Sequence, residues 1–300
     1  MTISLQGKVV VVTGAARGIG AAIARAMAAA GAAVVVNDVD AAEAEGIATA
    51  IRDAGGRAAT VIAAIGENEA AQLCVDTALS QFGRLDSFCA NAGVLRDGIL
   101  WKATDEDFDL VIRTHLRGAF TCGRAAARHF REAGHGGSII LMSSPAGQRG
   151  NVGQTAYASA KAGVAALART WSMELARANV SVNAIVPTAL TRMVATIPGL
   201  ADAVAAVDAG QPVPHHLRHD LGLGRPEDVA PLAVWLASDR GHGVSGQCIG
   251  IGGDRLALWS HPQEIAVRQA EGGWSADAIA RAWDDTFDEH RQDAGLKLDI

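Results

Sequence analysis

The feature that most restricts this chain is a run of four valines, Val9–Val12, that ends in Thr13 and passes directly into Gly14-Ala15-Ala16-Arg17-Gly18-Ile19-Gly20. A continuous β-branched run reads as a strand buried on both faces. The residues after it open a helix in which Ile19, Ile23 and Met27 recur every fourth position, and Gly31 stands where that helix stops. In such a turn Gly14 lets the chain reverse tightly, Gly18 lets backbone approach a pyrophosphate, and Gly20 permits close helix–strand packing. The helix N-terminus offers free N–H groups and partial positive charge to phosphate. Gly14, Arg17, Gly18, Ile19 and Gly20 are therefore candidate cofactor-binding residues. The apolar run leads straight into this motif, without a cleavage site, so it reads as a strand and not as a signal peptide.

Short strand patterns alternate with alanine-rich helical stretches along most of the chain. The strands are expected at Lys8–Thr13, Ala33–Asp38, Ala58–Ala63, Leu85–Ala90, Ser138–Ser143, Val180–Val186 and Gln247–Ile251. Repeated βα units imply an α/β fold: a Rossmann-type, doubly wound parallel sheet in a three-layer αβα arrangement, with ligand at the strands' C-terminal ends. The expected domain covers 1–254. Within it, Thr188–Gly224 has weak strand signals, Pro212 and Pro214, and His215, His216 and His219, and reads as a mobile insertion over the substrate. Residues 255–300 form a C-terminal helical tail, capped at Ser275, with Ile279, Trp283 and Phe287 on one face. The tail is expected to pack on the body or on a neighbouring subunit.

Composition removes several function classes. Apolar residues make up 49% of the 300 and charged residues 19%, enough for a sizeable core. No apolar run approaches the ~18 residues of a membrane helix, so a cytoplasmic protein with no membrane partner is expected. A net charge of −6 argues against nucleic acid. Cys74, Cys89, Cys122 and Cys248 are widely spaced and read as reduced core thiols. The loop histidines lack a placed acidic or cysteine partner, so no metal is expected.

Asp38 ends the second strand, 18 residues past Gly20. A carboxylate there accepts hydrogen bonds from both adenosine ribose hydroxyls and repels a 2′-phosphate. Arg17 pulls the other way, since a guanidinium pairs with a 2′-phosphate. A buried carboxylate facing phosphate outweighs one mobile arginine, and NAD is the cofactor expected. Tyr157 and Lys161 stand at i and i+4, one helical turn apart on the same face. A free phenol has a pKa of about 10, too high for a base at neutral pH, and a nearby ammonium lowers it. Ser144, 13 residues before Tyr157, can hydrogen-bond a substrate oxygen as its charge changes. Tyr157 is the only tyrosine in the chain, and Lys161 is one of four lysines.

With Thr13–Gly20, Asn91-Ala92-Gly93, Ser144, Tyr157 and Lys161 in this order and spacing, the sequence resembles the short-chain dehydrogenase/reductase family over roughly residues 5–254. The resemblance implies a bound nicotinamide dinucleotide and hydride exchange at a hydroxyl carbon. It places Asn91 and Gly93 on the adenosine side of the cleft, and Pro187 and Thr191 beside the nicotinamide and phosphates. It implies a homodimer or homotetramer through the helices near 104–132 and 155–178. Three positions depart from the family pattern. Ala63-Ala64-Ile65-Gly66 lacks the usual Asp near the adenine, Thr188 replaces a glycine after Pro187, and His115 stands where the family has a catalytic-helix Asn. His115 is accordingly a fourth catalytic candidate, as a proton relay or as a packing histidine. The stretches Asn91–Asp97, His115–Gly118 and Gly150–Gln154 look like the (3R)-hydroxyacyl-CoA dehydrogenase part of the peroxisomal multifunctional enzyme. They point to a small-molecule substrate that is a CoA thioester or a bulky apolar alcohol such as a steroid. The alternatives are an NADPH-dependent 3-oxoacyl-ACP reductase and an inactive dinucleotide-binding sensor or scaffold.

Overall fold

The computed structural model describes residues 3–196 and 199–295. In chain order the elements are β1 (Val9–Thr13), α1 (Gly18–Ala29), β2 (Ala33–Asp38), α2 (Ala41–Asp53), β3 (Arg57–Ile62), α3 (Asn68–Phe82), β4 (Ser87–Ala90), α4 (Asp105–Ile112) and α5 (Gly118–Ala133). They continue with β5 (Gly137–Met142), α6 (Pro145–Arg149), α7 (Thr155–Glu174), β6 (Val180–Pro187), α8 (Ala201–Asp208), α9 (Ala230–Ala237), β7 (Cys248–Gly252), β8 (Arg255–Trp259) and α10 (Ala276–Ala282). The strands form one sheet in the order β3-β2-β1-β4-β5-β6-β7-β8, parallel except for the last pair.

The two-residue period of the strands sorts their side chains into two cores. Val10, Val12, Val34, Val36, Ile140 and Ile185 pack against α1, α2 and α9, around Ile23, Met27, Ile47 and Leu236. Val9, Val11, Val35, Ile139, Leu141 and Val182 pack against α3, α5 and α7, around Val75, Phe130 and Val164. Three layers result, as expected from the continuous valine runs. All four cysteines are buried and unpaired. Among the described residues no helix is long and apolar enough to cross a membrane.

The chain progresses outward from β1 in one direction through β2 and β3, and in the other through β4, β5 and β6. The strand order therefore reverses between β1 and β4, and the C-terminal ends of these two strands open a crevice that no crossover covers.

The structure adds a strand at the far edge. The expected boundary at Asp254 falls in the turn of a β7–β8 hairpin, so Arg255–Trp259 belongs to the sheet and not to a helical tail. Gly253, at φ +51°, supplies the left-handed residue that a two-residue hairpin turn needs. Trp259 packs toward the body while Leu256 and Leu258 are each 69% exposed. That inversion of the usual edge pattern hid the strand. Beyond it, Ser275 Oγ accepts from Ala278 N at 3.2 Å and caps α10. The helix runs on from Ala282 through a wide-turned segment, Trp283–Phe287, and a last turn, Asp288–His290, and Ile279 and Trp283 are exposed on the described chain. Residues 296–300 of the expected tail lie outside the described residues.

The insertion is ordered around its own cluster. Leu190, Leu200, Val204, Val207, Leu217 and Leu223 are buried against one another. Its two ends are tied by Leu190 N donating to Gly224 O at 2.7 Å. Residues 197–198 of it lie outside the described residues. Phe130 is fully buried where α5 crosses the sheet. Phe130→Ala is expected to lower the unfolding free energy by about 3–5 kcal/mol, read as a reduced urea midpoint at unchanged slope.

Candidate active site

The crevice between β1 and β4 is built by a hydrogen-bonded stitch. Asn91, just past β4, donates from Nδ2 to Thr13 O (2.9 Å) and Gly14 O (3.1 Å), and its N–H donates to Thr13 Oγ1 (3.0 Å). Ala92 N donates to the same hydroxyl at 3.1 Å. Asn91 thus holds the glycine turn to its neighbour strand, and Thr13 is a site residue that the sequence reading did not single out. Its signal was a lone hydroxyl at the end of an all-valine strand.

The three glycines divide the work. A Cβ on Gly14 would stand 2.7 Å from Ala92 Cα, and one on Gly20 would run into the Gly14 carbonyl and stand 2.5 Å from Asn91 Nδ2. Both are required by packing inside the protein. Gly18, at φ +54°, meets nothing nearer than the Thr191 methyl at 3.9 Å, so its freedom serves the open side of the turn. Arg17 gives α1 no side-chain cap, which leaves first-turn N–H groups for an external anion. An uncapped helix of 12 residues behind an open left-handed glycine fits the pyrophosphate of a dinucleotide. Thr191 flanks that same turn, with Pro187 ending β6.

At the end of β2, the Asp38 carboxylate accepts from Ala16 N (3.0 Å), Val39 N (2.8 Å) and Asp40 N (3.2 Å). Three backbone donors fix its direction. Arg17 points elsewhere: its Nη2 lies 2.5 Å from Asp40 Oδ2, and Asp40 also caps α2.

The second half of the site lies at the ends of β5 and α7. Ser143 and Ser144 are separated by use. Ser143 Oγ donates to the Lys161 carbonyl at 2.9 Å and so holds α7 in place. Ser144 Oγ accepts from Ala146 N at 3.2 Å, and its side chain favours the ionised form of the Tyr157 phenol. Lys161, only 5% exposed, donates from Nζ to Met142 O at 2.5 Å and stands 5.6 Å from the Tyr157 ring centre. A narrow cleft lined by Thr13, Ala92, His115, Met142 and Lys161 joins the two halves.

Burial dominates the protonation of this cluster. It pushes the Lys161 amine down to about 7. It raises the Tyr157 phenol, against the Ser144 hydrogen bond and with the help of the Asp97 charge. This corrects the expectation that a lysine ammonium lowers the phenol in the free protein. Lys161 is tied to Met142 O, and the low-dielectric surroundings disfavour both charged forms.

His115 is 3% exposed and lies in a wide-turned segment, Arg113–Arg117, between α4 and α5. Its Nε2 meets both backbone polar groups of Val94, the carbonyl oxygen at 2.6 Å and the N–H at 3.1 Å, while Nδ1 is buried without a hydrogen-bond partner. Burial first, and the Lys161 charge second, push it down to about 3. It is a neutral ring that meets Tyr157 edge-on, with centroids 5.2 Å apart at 88°. Gly93, expected beside the cofactor, is where that ring fits: a Cβ there would stand 3.1 Å from Nδ1 and closer still to the ring edge. Two more residues, for which no role was expected, join the cluster: Asp97 Oδ2 accepts at 3.1 Å from Nε2 of Gln154, three residues before Tyr157.

The loop histidines lie apart from this site. His215 and His219 stack at 5.1 Å, and His219 Nδ1 lies 3.7 Å from Asp254. Arg218 is held by Asp228 and Asp254.

Comparison with known proteins gives a consistent neighbourhood. Residues 14–253 match the family model described as enoyl-(acyl carrier protein) reductase. The chain is 39% identical over 297 residues to hydroxyacyl-CoA dehydrogenase ChsB1 of Mycobacterium tuberculosis, covering 95% of this chain and 87% of that one. It is 34% identical over 293 residues to mouse peroxisomal multifunctional enzyme type 2, covering 94% of this chain but only 37% of that protein. It is also 34% identical over 252 residues to a 3-oxoacyl-acyl-carrier-protein reductase of Thermotoga maritima, covering 83% and 98%. A crystal structure of a short-chain dehydrogenase from Mycobacterium avium superposes with a TM-score of 0.84 at 34% identity, covering 97% of this chain and 98% of that one.

The buried lysine is directly measurable, because the chain has four lysines. In protein labelled with 13C-lysine, one Cε resonance is expected to titrate near 7 and to vanish in Lys161→Met.

Proposed function

The chain belongs to the short-chain dehydrogenase/reductase family and is an oxidoreductase of that type, and we propose that it interconverts a secondary alcohol and a ketone, using NAD, with Tyr157 as acid/base. The observation that carries this reading is Tyr157 one helical turn from buried Lys161, whose amine stands 5.6 Å from its ring centre, with an uncapped glycine turn in the same crevice. The alternative of an inactive binding protein has no use for that arrangement.

Gly14, Gly18, Ile19 and Gly20 would hold the dinucleotide's pyrophosphate, Asp38 its adenosine ribose, and Lys161, Pro187 and Thr191 its nicotinamide half. Bound there, the nicotinamide supplies the hydride acceptor or donor. Tyr157 moves the proton at the substrate oxygen. Ser144 Oγ already accepts from Ala146 N, so its one proton serves the reacting oxygens, the phenolate in the free protein and the substrate oxygen as charge changes there. Lys161 in its ammonium form favours the phenolate. That form is held below about 7 in the free protein and is lost as pH rises through that value. Neutral His115 meets the ring of Tyr157 edge-on.

Asp38 favours NAD, because its three backbone donors aim a carboxylate where a 2′-phosphate would lie. Arg17, the residue that would welcome that phosphate, is engaged with Asp40. For substrate, we favour a 3-hydroxyacyl-CoA or a comparably bulky apolar alcohol such as a steroid. The support is the likeness to the hydroxyacyl-CoA dehydrogenase and to the multifunctional enzyme. The apolar composition of the insertion does not add to it, since those side chains pack on one another. Nor does Arg218, which two aspartates already hold; Arg192 is the exposed cation left at that edge. The likeness to a 3-oxoacyl-acyl-carrier-protein reductase favours a second reading, reduction of carrier-bound thioesters with NADPH. Assembly as a homodimer or homotetramer would use the outer faces of α4, α5 and α7, where Phe108, Phe120 and Met173 are exposed.

A panel of 3-hydroxyacyl-CoA thioesters, hydroxysteroids and small polyols, read by NADH absorbance, tests the reading. Activity confined to small polar alcohols would overturn the substrate assignment. Tyr157→Phe is expected to lower kcat by about 100-fold or more while leaving NAD affinity near wild type. Wild-type protein is expected to show the higher kcat/KM with NAD, and Asp38→Ala to narrow or reverse that preference. A wild-type preference for NADPH on carrier-bound 3-oxoacyl thioesters would favour the second reading instead.

A further inference from the structure

Two loops meet just before the catalytic helix. Gly98 N donates to Gly153 O at 2.8 Å, and Gly98 and Gln154 form a short parallel bridge. The buried Gln154 side chain closes this junction from both ends. Its Oε1 accepts from Asn151 Nδ2 at 3.0 Å, and its Nε2 donates to Asp97 Oδ2 at 3.1 Å. The Gln154 carbonyl accepts the first hydrogen bond of α7, from Ala158 N at 2.7 Å. Any shift at Gln154 is therefore transmitted to Tyr157, which sits between Gln154 and Lys161 in the first turn of the helix.

The charge of Asp97 is not neutralised by a neighbour. Arg96, beside it in sequence, turns to Asp107 at 3.3 Å and to the Leu95 carbonyl. Among the described residues Asp97 enters no ion pair. A glutamine amide holds the carboxylate without cancelling it, so an uncompensated negative charge is fixed at the residue that opens the catalytic helix, three positions before Tyr157.

We propose that Asp97, clamped by Gln154, is a positioning residue that sets both the register of Tyr157 and the electric field at its hydroxyl. The inference rests on the reading of Tyr157 as the acid/base, and its chemistry is simple. A fixed carboxylate opposes the negative phenolate and keeps the proton on the tyrosine until substrate oxygen or the lysine can share it. The groups that face the hydroxyl are few. Ser144 from the end of β5 stabilises the phenolate by hydrogen bonding, and the Asp97 charge opposes it. Lys161 lies under the ring and donates to Met142 O, and His115 is a neutral edge. Asp97 is therefore the anionic partner whose removal has a defined sign.

Tyr157 is the sole tyrosine of the chain, so the near-ultraviolet absorbance of phenolate reports its ionisation alone, with Tyr157→Phe as the blank. No substrate or cofactor is needed, so this experiment fails independently of the proposed reaction. Asp97→Asn keeps the acceptor for Gln154 and removes only the charge; its phenol midpoint is expected below that of wild type. Asp97→Glu restores the charge and is expected to return the midpoint toward wild type. Gln154→Leu frees the carboxylate to swing into solvent and is expected to lower the midpoint as Asp97→Asn does. Far-ultraviolet circular dichroism at each pH confirms that the fold is intact. Incorporating 3-fluorotyrosine, whose phenol ionises at lower pH, moves the measurement away from alkaline unfolding. An unchanged midpoint in Asp97→Asn, or equal shifts in Asp97→Asn and Asp97→Glu, overturns the electrostatic role. An unchanged midpoint in Gln154→Leu overturns the clamp.

Discussion

The two hydrogen bonds from Asn91 Nδ2 to the Thr13 and Gly14 carbonyls close the switch point of the sheet. There β1 and β4 are neighbours, and their connections leave in opposite directions. Without a side chain to bridge them, the two turns would carry free carbonyls into a cleft with few water partners, a loss of about 1–3 kcal/mol for each buried group. The bridge also explains why Gly14 and Gly20 have no substitute: the turns approach so closely that a methyl group at either position meets backbone or the Asn91 amide. Gly18 escapes this constraint. It faces outward, and its left-handed backbone is kept for something the protein itself does not supply.

The same close packing puts the reactive groups in a medium that resists charge. Lys161 reaches the interior on a helix whose small residues, Ala160, Val164 and Ala165, let α7 lie against the sheet. The Ser143 hydroxyl then takes the Lys161 carbonyl, and the end of β5 takes its amine. A packing requirement and a chemical one are met by adjacent serines, the first for the helix and the second for the tyrosine.

Much of this was readable in the sequence because it depends on local pattern. The valine runs gave both cores, since period two on a doubly covered strand leaves no polar face. The glycine spacing, Asp38, Ser144, Tyr157 and Lys161 are local motifs, and the structure brings them to one edge of the sheet. What stayed hidden depends on contacts between distant segments. Thr13 acquires its use from Asn91, 78 positions away. Gly93 accommodates the ring of His115 because a wide helical turn delivers it there. Asp97 and Gln154 meet across 57 positions. The Arg255–Trp259 strand was hidden for another reason: its leucines face outward, so its alternation gave no inward signal. The insertion's apolar composition was equally ambiguous, because composition alone does not say whether leucines will face a ligand or each other.

A phenol raised by burial and an amine lowered by it look ill-suited to base catalysis. The conflict eases once the pair is considered together. Transfer of one proton from Tyr157 to Lys161 creates two charges but leaves the net charge of the cluster unchanged. Low dielectric penalises each charge separately and strengthens their attraction when they stand close. In the free protein that compensation is withheld, because Nζ donates to Met142 O and stands 5.6 Å from the ring centre. At neutral pH the phenol keeps its proton while the amine stands in the middle of its titration, which suits a cleft that would otherwise hold an unsolvated phenolate. The two groups then titrate as a coupled pair. Whatever draws the amine away from Met142 O toward the hydroxyl makes the phenolate affordable at that moment. In this cluster the geometry that spares the free protein a buried charge is also the geometry that must change before the proton can leave.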